Sequence, residues 1–117
     1  MLLLGIDIGT SSVKVAVVDA ATQQCICSAQ YPDMESGILT PHPGWAEQSP
    51  DQWWEDTKQA IVKCNASGNY DPKEIAAVGI AYQMHGLVLV DKKQQVLRNS
   101  IIWCDSRAVE TGKRAFA

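Results

Sequence analysis

The segment Gly5-Ile6-Asp7-Ile8-Gly9-Thr10-Ser11-Ser12-Val13-Lys14 gathers residue types that handle phosphate. Gly9 lets the backbone turn tightly and approach a ligand closely. Successive N–H groups in such a turn can converge on an anion, the hydroxyls of Thr10, Ser11 and Ser12 add donors, and Lys14 adds positive charge nearby. Asp7 ends the apolar run before the turn. A carboxylate beside a phosphate cradle is a place for Mg²⁺, held through water because the ion dehydrates reluctantly. The same residues also read as a plain chain reversal capped by Asp7. Two further groupings stand out: Met84-His85 after a long apolar run, and Trp103, Asp105 and Arg107 at alternate positions. On residue type alone, Met84-His85 reads as the end of a strand, Trp103 as core, and Asp105 as a helix cap worth about 1 kcal/mol.

The elements that must position these residues can be traced along the chain. Residues 2–8 and 13–19 are β-rich runs separated by Gly9–Ser12, which predicts a hairpin. Residues 24–31 read as a third strand, and four prolines between 32 and 50 predict an extended loop. Ser49-Pro50-Asp51-Gln52 is a helix start, with Ser49 as cap, Pro50 at the first position and Gln52 completing a capping box. Trp53, Trp54, Thr57, Ala60, Ile61 and Cys64 then recur at helical spacing, so both tryptophans are expected to face the core of a helix ending near Asn65. Asp71–Glu74 predicts a single turn, 75–82 a buried strand, 86–91 another strand, and 92–95 a polar turn. Short strands are expected at 96–97 and 101–103, and a helix from Asp105 or Ser106 to Ala117. The order β-β-β-α-β-β-α, with a crossover helix into an apolar strand, is that of an α/β fold: a mixed sheet with helices packed on it.

Composition narrows the function classes. With 117 residues and 46% apolar content the chain has one domain's worth of length and enough core to fold without disulfides. The formal charge of −3 gives no support for a nucleic-acid partner or an anionic membrane surface. No apolar run approaches the roughly 20 residues that span a bilayer, and Met1-Leu2-Leu3-Leu4 lacks the basic flank and length of a secretory leader. Cys25, Cys27, Cys64 and Cys104 have no zinc spacing and read as reduced thiols of a cytoplasmic protein. Asn65-Ala66-Ser67 is then a chance match to the glycosylation pattern, and His42 an exposed loop histidine.

GIDIGTSSVKVAVVD resembles the first phosphate motif of the sugar-kinase, Hsp70 and actin superfamily, which implies a ribonuclease H-like, actin-like ATPase domain. Together with PGWAEQSPDQWW, GIAYQMHGLVLVD and IIWCDSRA, in that order over nearly the whole chain, it resembles the FGGY family of carbohydrate kinases. Within the family the resemblance is strongest to the branch acting on D-xylulose, with kinases of gluconate or another sugar as the alternative. The resemblance implies ATP and Mg²⁺ as cofactors, phosphate binding by Gly9, Thr10, Ser11, Ser12 and Lys14, and an activity-critical, magnesium-associated Asp7. It implies a sugar partner held by Met84 and His85, with Trp103 as an apolar wall and Asp105 as a hydroxyl acceptor. A histidine can donate to or accept from a hydroxyl, and a methionine can lie against a C–H face. The Trp45, Trp53 and Trp54 cluster could stack on a sugar, but helical spacing favours core for the last two. A homodimer is compatible with the resemblance.

The resemblance covers only the N-terminal part of a family member. The general base, an aspartate in a Gly-Asp-Gln-like setting, and the adenosine-binding domain are expected downstream. The chain is therefore expected to be a piece of a longer kinase, inactive alone. Two other classes share the strand-turn-strand with its aspartate. An actin- or Hsp70-like ATP switch would have no use for the Met-His and Trp-x-Asp-x-Arg segments. A ribonuclease H-like nuclease would need acids facing Asp7, and 75–82 carries none.

Overall fold

A computed structural model describes residues 1–116, which form two compact units. The first comprises Met1–Ser36 and Gln52–Gln83. Its sheet is built from β1 (Leu2–Ile8), β2 (Val13–Asp19), β3 (Gln24–Tyr31) and β5 (Ile75–Tyr82), in the order β3-β2-β1-β5. The strand β1 is antiparallel to β2 and parallel to β5, and β2 is antiparallel to β3. The sheet is mixed, as the sequence predicts, with a crossover from β3 through helix α1 (Pro50–Asn65) to β5.

Strand alternation decides the two faces. Leu2, Leu4 and Ile6 of β1 and Val13, Val15 and Val17 of β2 are buried on one face together with Ala60 and Cys64 of α1. The opposite face carries Asp7 directly across from Lys14, and Gly5 across from Ala16. The helix buries Asp56, Thr57, Ala60 and Cys64. Asp56 is tolerated there because Gln52 Nε2 donates to it at 2.8 Å and Ser36 Oγ at 3.5 Å. Burial also pushes the Cys64 thiol up to about 11.

Two expectations in this unit need correction. Trp54 is 64% exposed, and Lys58 Nζ lies 5.9 Å from its ring centroid. Neighbouring helix residues point about 100° apart, so Trp53 turns inward to half-burial and carries its neighbour off the buried face. β5, expected as a buried strand, is the sheet's edge, and beyond Ile75 every residue is exposed. The apolar run records a strand, but α1 packs over β1 and β2.

The second unit comprises Gly37–Asp51 and the chain from Met84 onward. Inside the proline-rich stretch, expected to be only loop, β4 (Glu47–Gln48) pairs antiparallel with β6 (Ser100–Ile101), and Leu39 bridges Glu47. The strand expected at 86–91 is absent; only the bridges Leu87–Ile101 and Val90–Val96 form. His85 takes a left-handed backbone (φ 62°), which ends the extended run, and Leu87 to Val90 find no long neighbour to pair with. The polar turn at 92–95 does form, with Asp91 Oδ1 accepting from the N–H groups of Lys93 and Gln95. The expected short strand at 101–103 is Ser100–Ile101, and Trp103 lies in a turn. The last helix, α2, is shorter than expected (Val109–Ala115); Ala117 lies outside the described residues.

Candidate functional site

The turn Gly9–Ser12 joins β1 to β2, and Gly9 N–H donates to Ser12 O at 3.2 Å. A Cβ on Gly9 would lie 2.9 Å from that same carbonyl oxygen, so the turn needs glycine for close approach. Because the Gly9 N–H is used inside the turn, donors toward an anion must come from elsewhere in it. Ser11 is exposed, and its carbonyl accepts from Ser36 N–H at 2.7 Å, which pins the outer corner. Ser12 is buried. Thr10 Oγ1 donates to Gln83 Oε1 at 3.1 Å.

Asp7 and Lys14 are register partners on the solvent-facing side of the sheet, so the structure brings these two predicted residues together. Both line an open hollow of about 830 Å³ with Ser28, Gln30 and the small residues Gly5, Ala16, Gly79 and Ala81. Among the described residues, no group of three or more His, Cys, Asp or Glu side chains could hold a metal. A single exposed carboxylate such as Asp7 fits Mg²⁺ held through water, not a cage of protein ligands.

In the second unit, Met84 and His85 are both exposed, Met84 by 66%. Histidine is among the few non-glycine residues enriched in the left-handed region, and residues held there concentrate at functional sites. Trp103, Asp105 and Arg107 share one short stretch with divergent directions. Ile102 is buried, and its N–H donates to Ala46 O at 3.1 Å. Trp103 is 57% exposed.

The Asp105 side chain is only 2% exposed, and both of its oxygens are engaged. Its Oδ2 accepts from Ala46 N–H at 2.6 Å and from Arg107 Nη2 at 2.7 Å; its Oδ1 accepts from the Arg107 N–H and Nε, each at 2.9 Å. The Arg107 guanidinium, chiefly by hydrogen bonding, holds the Asp105 carboxyl well below the usual carboxylate range, and Asp105 in turn raises Arg107. A sugar hydroxyl seeking Asp105 would therefore compete with a filled set of donors. Arg107 Nη2 also reaches Glu47 Oε1 at 2.7 Å, Arg98 pairs with the same oxygen, and the Arg107 guanidinium carbon sits 3.7 Å from the Trp45 ring centroid.

Sequence reasoning missed Gln83 and the partners Glu47, Arg98 and Trp45. Glu47 and Trp45 stand in the PGWAEQ stretch and Arg107 in the WCDSRA stretch, so an acid, a ring and a base were visible, but no local spacing pairs residues 60 positions apart. Gln83 had one signal, its place between the apolar run and Met84.

A hairpin with an Asp-x-Gly-Thr turn, a third antiparallel strand and a parallel strand added beside the first define the actin-like ATPase fold. Within that class the chain belongs to the FGGY family of carbohydrate kinases, whose N-terminal domain matches residues 2–115. It is 40% identical over 108 residues to the xylulose kinase of Escherichia coli (strain K12), covering 92% of this chain and 21% of that protein. It is 38% identical over 106 residues to the xylulose kinase of Bacillus subtilis (strain 168), covering 90% of this chain and 20% of that protein. Among solved structures, a xyloylose kinase from Brucella ovis superposes with a TM-score of 0.86 at 37% identity, over 99% of this chain and 25% of that one. The chain thus spans a fifth to a quarter of the proteins it resembles. Among the described residues, no helix is long and apolar enough to cross a membrane.

Proposed function

We propose that the protein carrying this chain is an ATP-dependent kinase that phosphorylates the terminal hydroxyl of D-xylulose in the cytoplasm, giving D-xylulose 5-phosphate and ADP. The observation that carries the proposal is the 40% and 38% identity to two xylulose kinases over nine-tenths of the chain. In this reading the chain supplies an N-terminal portion of the sugar-binding lobe, and the adenosine site and the general base come from further sequence. The turn Gly9–Ser12 and Lys14 hold the ATP phosphates. Asp7 would hold Mg²⁺ through water, and the ion would supply positive charge to offset that developing on the transferred phosphoryl group. Met84 and His85 hold the sugar, the histidine through a hydroxyl and the methionine through a C–H face. Trp103 offers an apolar wall, and Asp105, its oxygens filled by Ala46 and Arg107, keeps that wall in place.

The hydroxyl oxygen attacks the γ-phosphorus, the bond to the bridging β–γ oxygen breaks, and the hydroxyl proton passes to the downstream base. Most of the rate in such a transfer comes from positioning, so an isolated lobe is expected to be inactive.

The test is a substrate panel on the full-length enzyme with MgATP and D-xylulose, D-gluconate or glycerol, followed by His85→Ala. D-xylulose should give the highest kcat/KM. His85→Ala should raise the D-xylulose KM tenfold or more while the ATP KM stays within about threefold, the loss of one or two hydrogen bonds to substrate. Preference for gluconate or glycerol, or an unchanged sugar KM in His85→Ala, refutes the corresponding part.

A further inference from the structure

We infer that Gln83 is a positioning residue that holds the phosphate turn in place; this rests on the kinase reading above. Two bonds place it. Gln83 N–H donates to Ile8 O at 3.0 Å, which extends the β1–β5 ladder one residue past the Ile8–Tyr82 pair. Its side-chain Oε1 accepts from Thr10 Oγ1 at 3.1 Å, across 73 residues of sequence. Gln83 therefore holds the chain on both sides of Gly9: the last carbonyl of β1 before it and the first hydroxyl of the turn after it. Met84 is its covalent neighbour, and His85 follows in a left-handed conformation. An amide at 83 fixes the Thr10 hydroxyl beside the end of β1.

Gln83 touches no substrate in this account. It acts through Thr10 and the Ile8 carbonyl.

The experiment compares Gln83→Leu, Thr10→Val, the double variant and Thr10→Ser in the full-length enzyme. It measures KM for MgATP and for D-xylulose separately and follows hydrogen exchange of the turn amides at 10–12. Gln83→Leu should raise the MgATP KM more than the D-xylulose KM and speed amide exchange in the turn about fivefold, the factor of one neutral hydrogen bond. The double variant should fall about fivefold short of the product of the single losses in kcat/KM, and Thr10→Ser, which keeps the hydroxyl, should restore wild-type behaviour. Unchanged turn exchange in Gln83→Leu overturns the tether. Faster exchange with the MgATP KM unmoved overturns the coupling of the turn to the nucleotide. Wild-type enzyme that phosphorylates no sugar would refute the kinase reading itself and with it the coupling, while the exchange measurement still decides whether Gln83 holds the turn.

Discussion

Replacing Arg107 by methionine tests the ion network of the second unit directly. Methionine keeps an unbranched stem near the Trp45 ring but deletes the Nε bonds to Asp105 (2.9 and 3.0 Å) and the Nη2 bonds to Asp105 and Glu47 (both 2.7 Å). Removing one partner of a buried ion pair costs about 3–5 kcal/mol, because the survivor is left charged in a poor solvent. Two features move the expectation to the low end. Asp105 retains the N–H groups of Ala46 and Arg107, and Glu47 retains Arg98. The loss should therefore fall below that of a fully buried pair and above that of an exposed one. A local probe avoids assuming that a large protein unfolds in one step: the Ala46 amide, whose N–H is bonded to Asp105 Oδ2, should exchange roughly a hundredfold faster in Arg107→Met. Asp105→Asn should give a smaller acceleration, since its amide oxygen can still accept from Ala46. The double variant should lose less than the two singles combined, because they share one interaction. Ala46 exchange within twofold of wild type in Arg107→Met would refute the reasoning and reduce the network to a surface ornament of the kind worth nothing measurable.

Acid provides a second check. The Asp105 carboxyl sits below its ordinary value, so its stabilisation is complete above about pH 4 and is lost as pH falls from there toward the folded-state value. The difference in thermal midpoint between wild type and Asp105→Asn should therefore be constant from pH 7 to 5 and shrink between pH 4 and 2; a difference that grows in acid would contradict the assignment. Gly9→Ala places a methyl group 2.9 Å from the Ser12 carbonyl, and Gly9 is not in a left-handed conformation, so the conflict is steric. Relieving it must open the Gly9–Ser12 bond, worth about 1 kcal/mol, and should raise the ATP KM of the full-length enzyme more than the sugar KM; equal or absent changes would separate the turn from the nucleotide.

What could be read from the sequence divides along a physical line. β1, β2, β3 and α1 matched their expected positions because local pattern and tertiary role agree there: alternate valines face one helix, and Ala60 and Cys64 recur on its inner side. Where pattern and surroundings part, reading failed. β5 has a buried strand's composition and an edge strand's exposure, since composition records what a strand can bury and topology decides what covers it. Residues 86–91 have the pattern of a strand, but the left-handed residue before them and the lack of a long partner leave two bridges. The turn chemistry around Gly9 was legible because it is local. The Gln83–Thr10 bond and the Glu47–Arg107–Asp105 network were not, since each joins residues that only the folded backbone brings together.

The segment from Ile102 to Arg107 shows why a short motif can be read in residue type and misread in role. On residue type alone its ring read as core, and by resemblance its carboxylate read as a hydroxyl acceptor, yet the Asp105 side chain is 2% exposed and Trp103 is 57% exposed. The reversal follows from what each group needs. A carboxylate can be buried only with donors on both oxygens, and here one backbone N–H from Ala46 and the fork of Arg107 supply them. Between that anchor and the buried Ile102, the Trp103 indole stands largely exposed. In the kinase proposed above, a ligand meeting this surface would find an apolar face and a carboxylate already filled with donors, and hydroxyl recognition would fall to His85, which the fold leaves exposed.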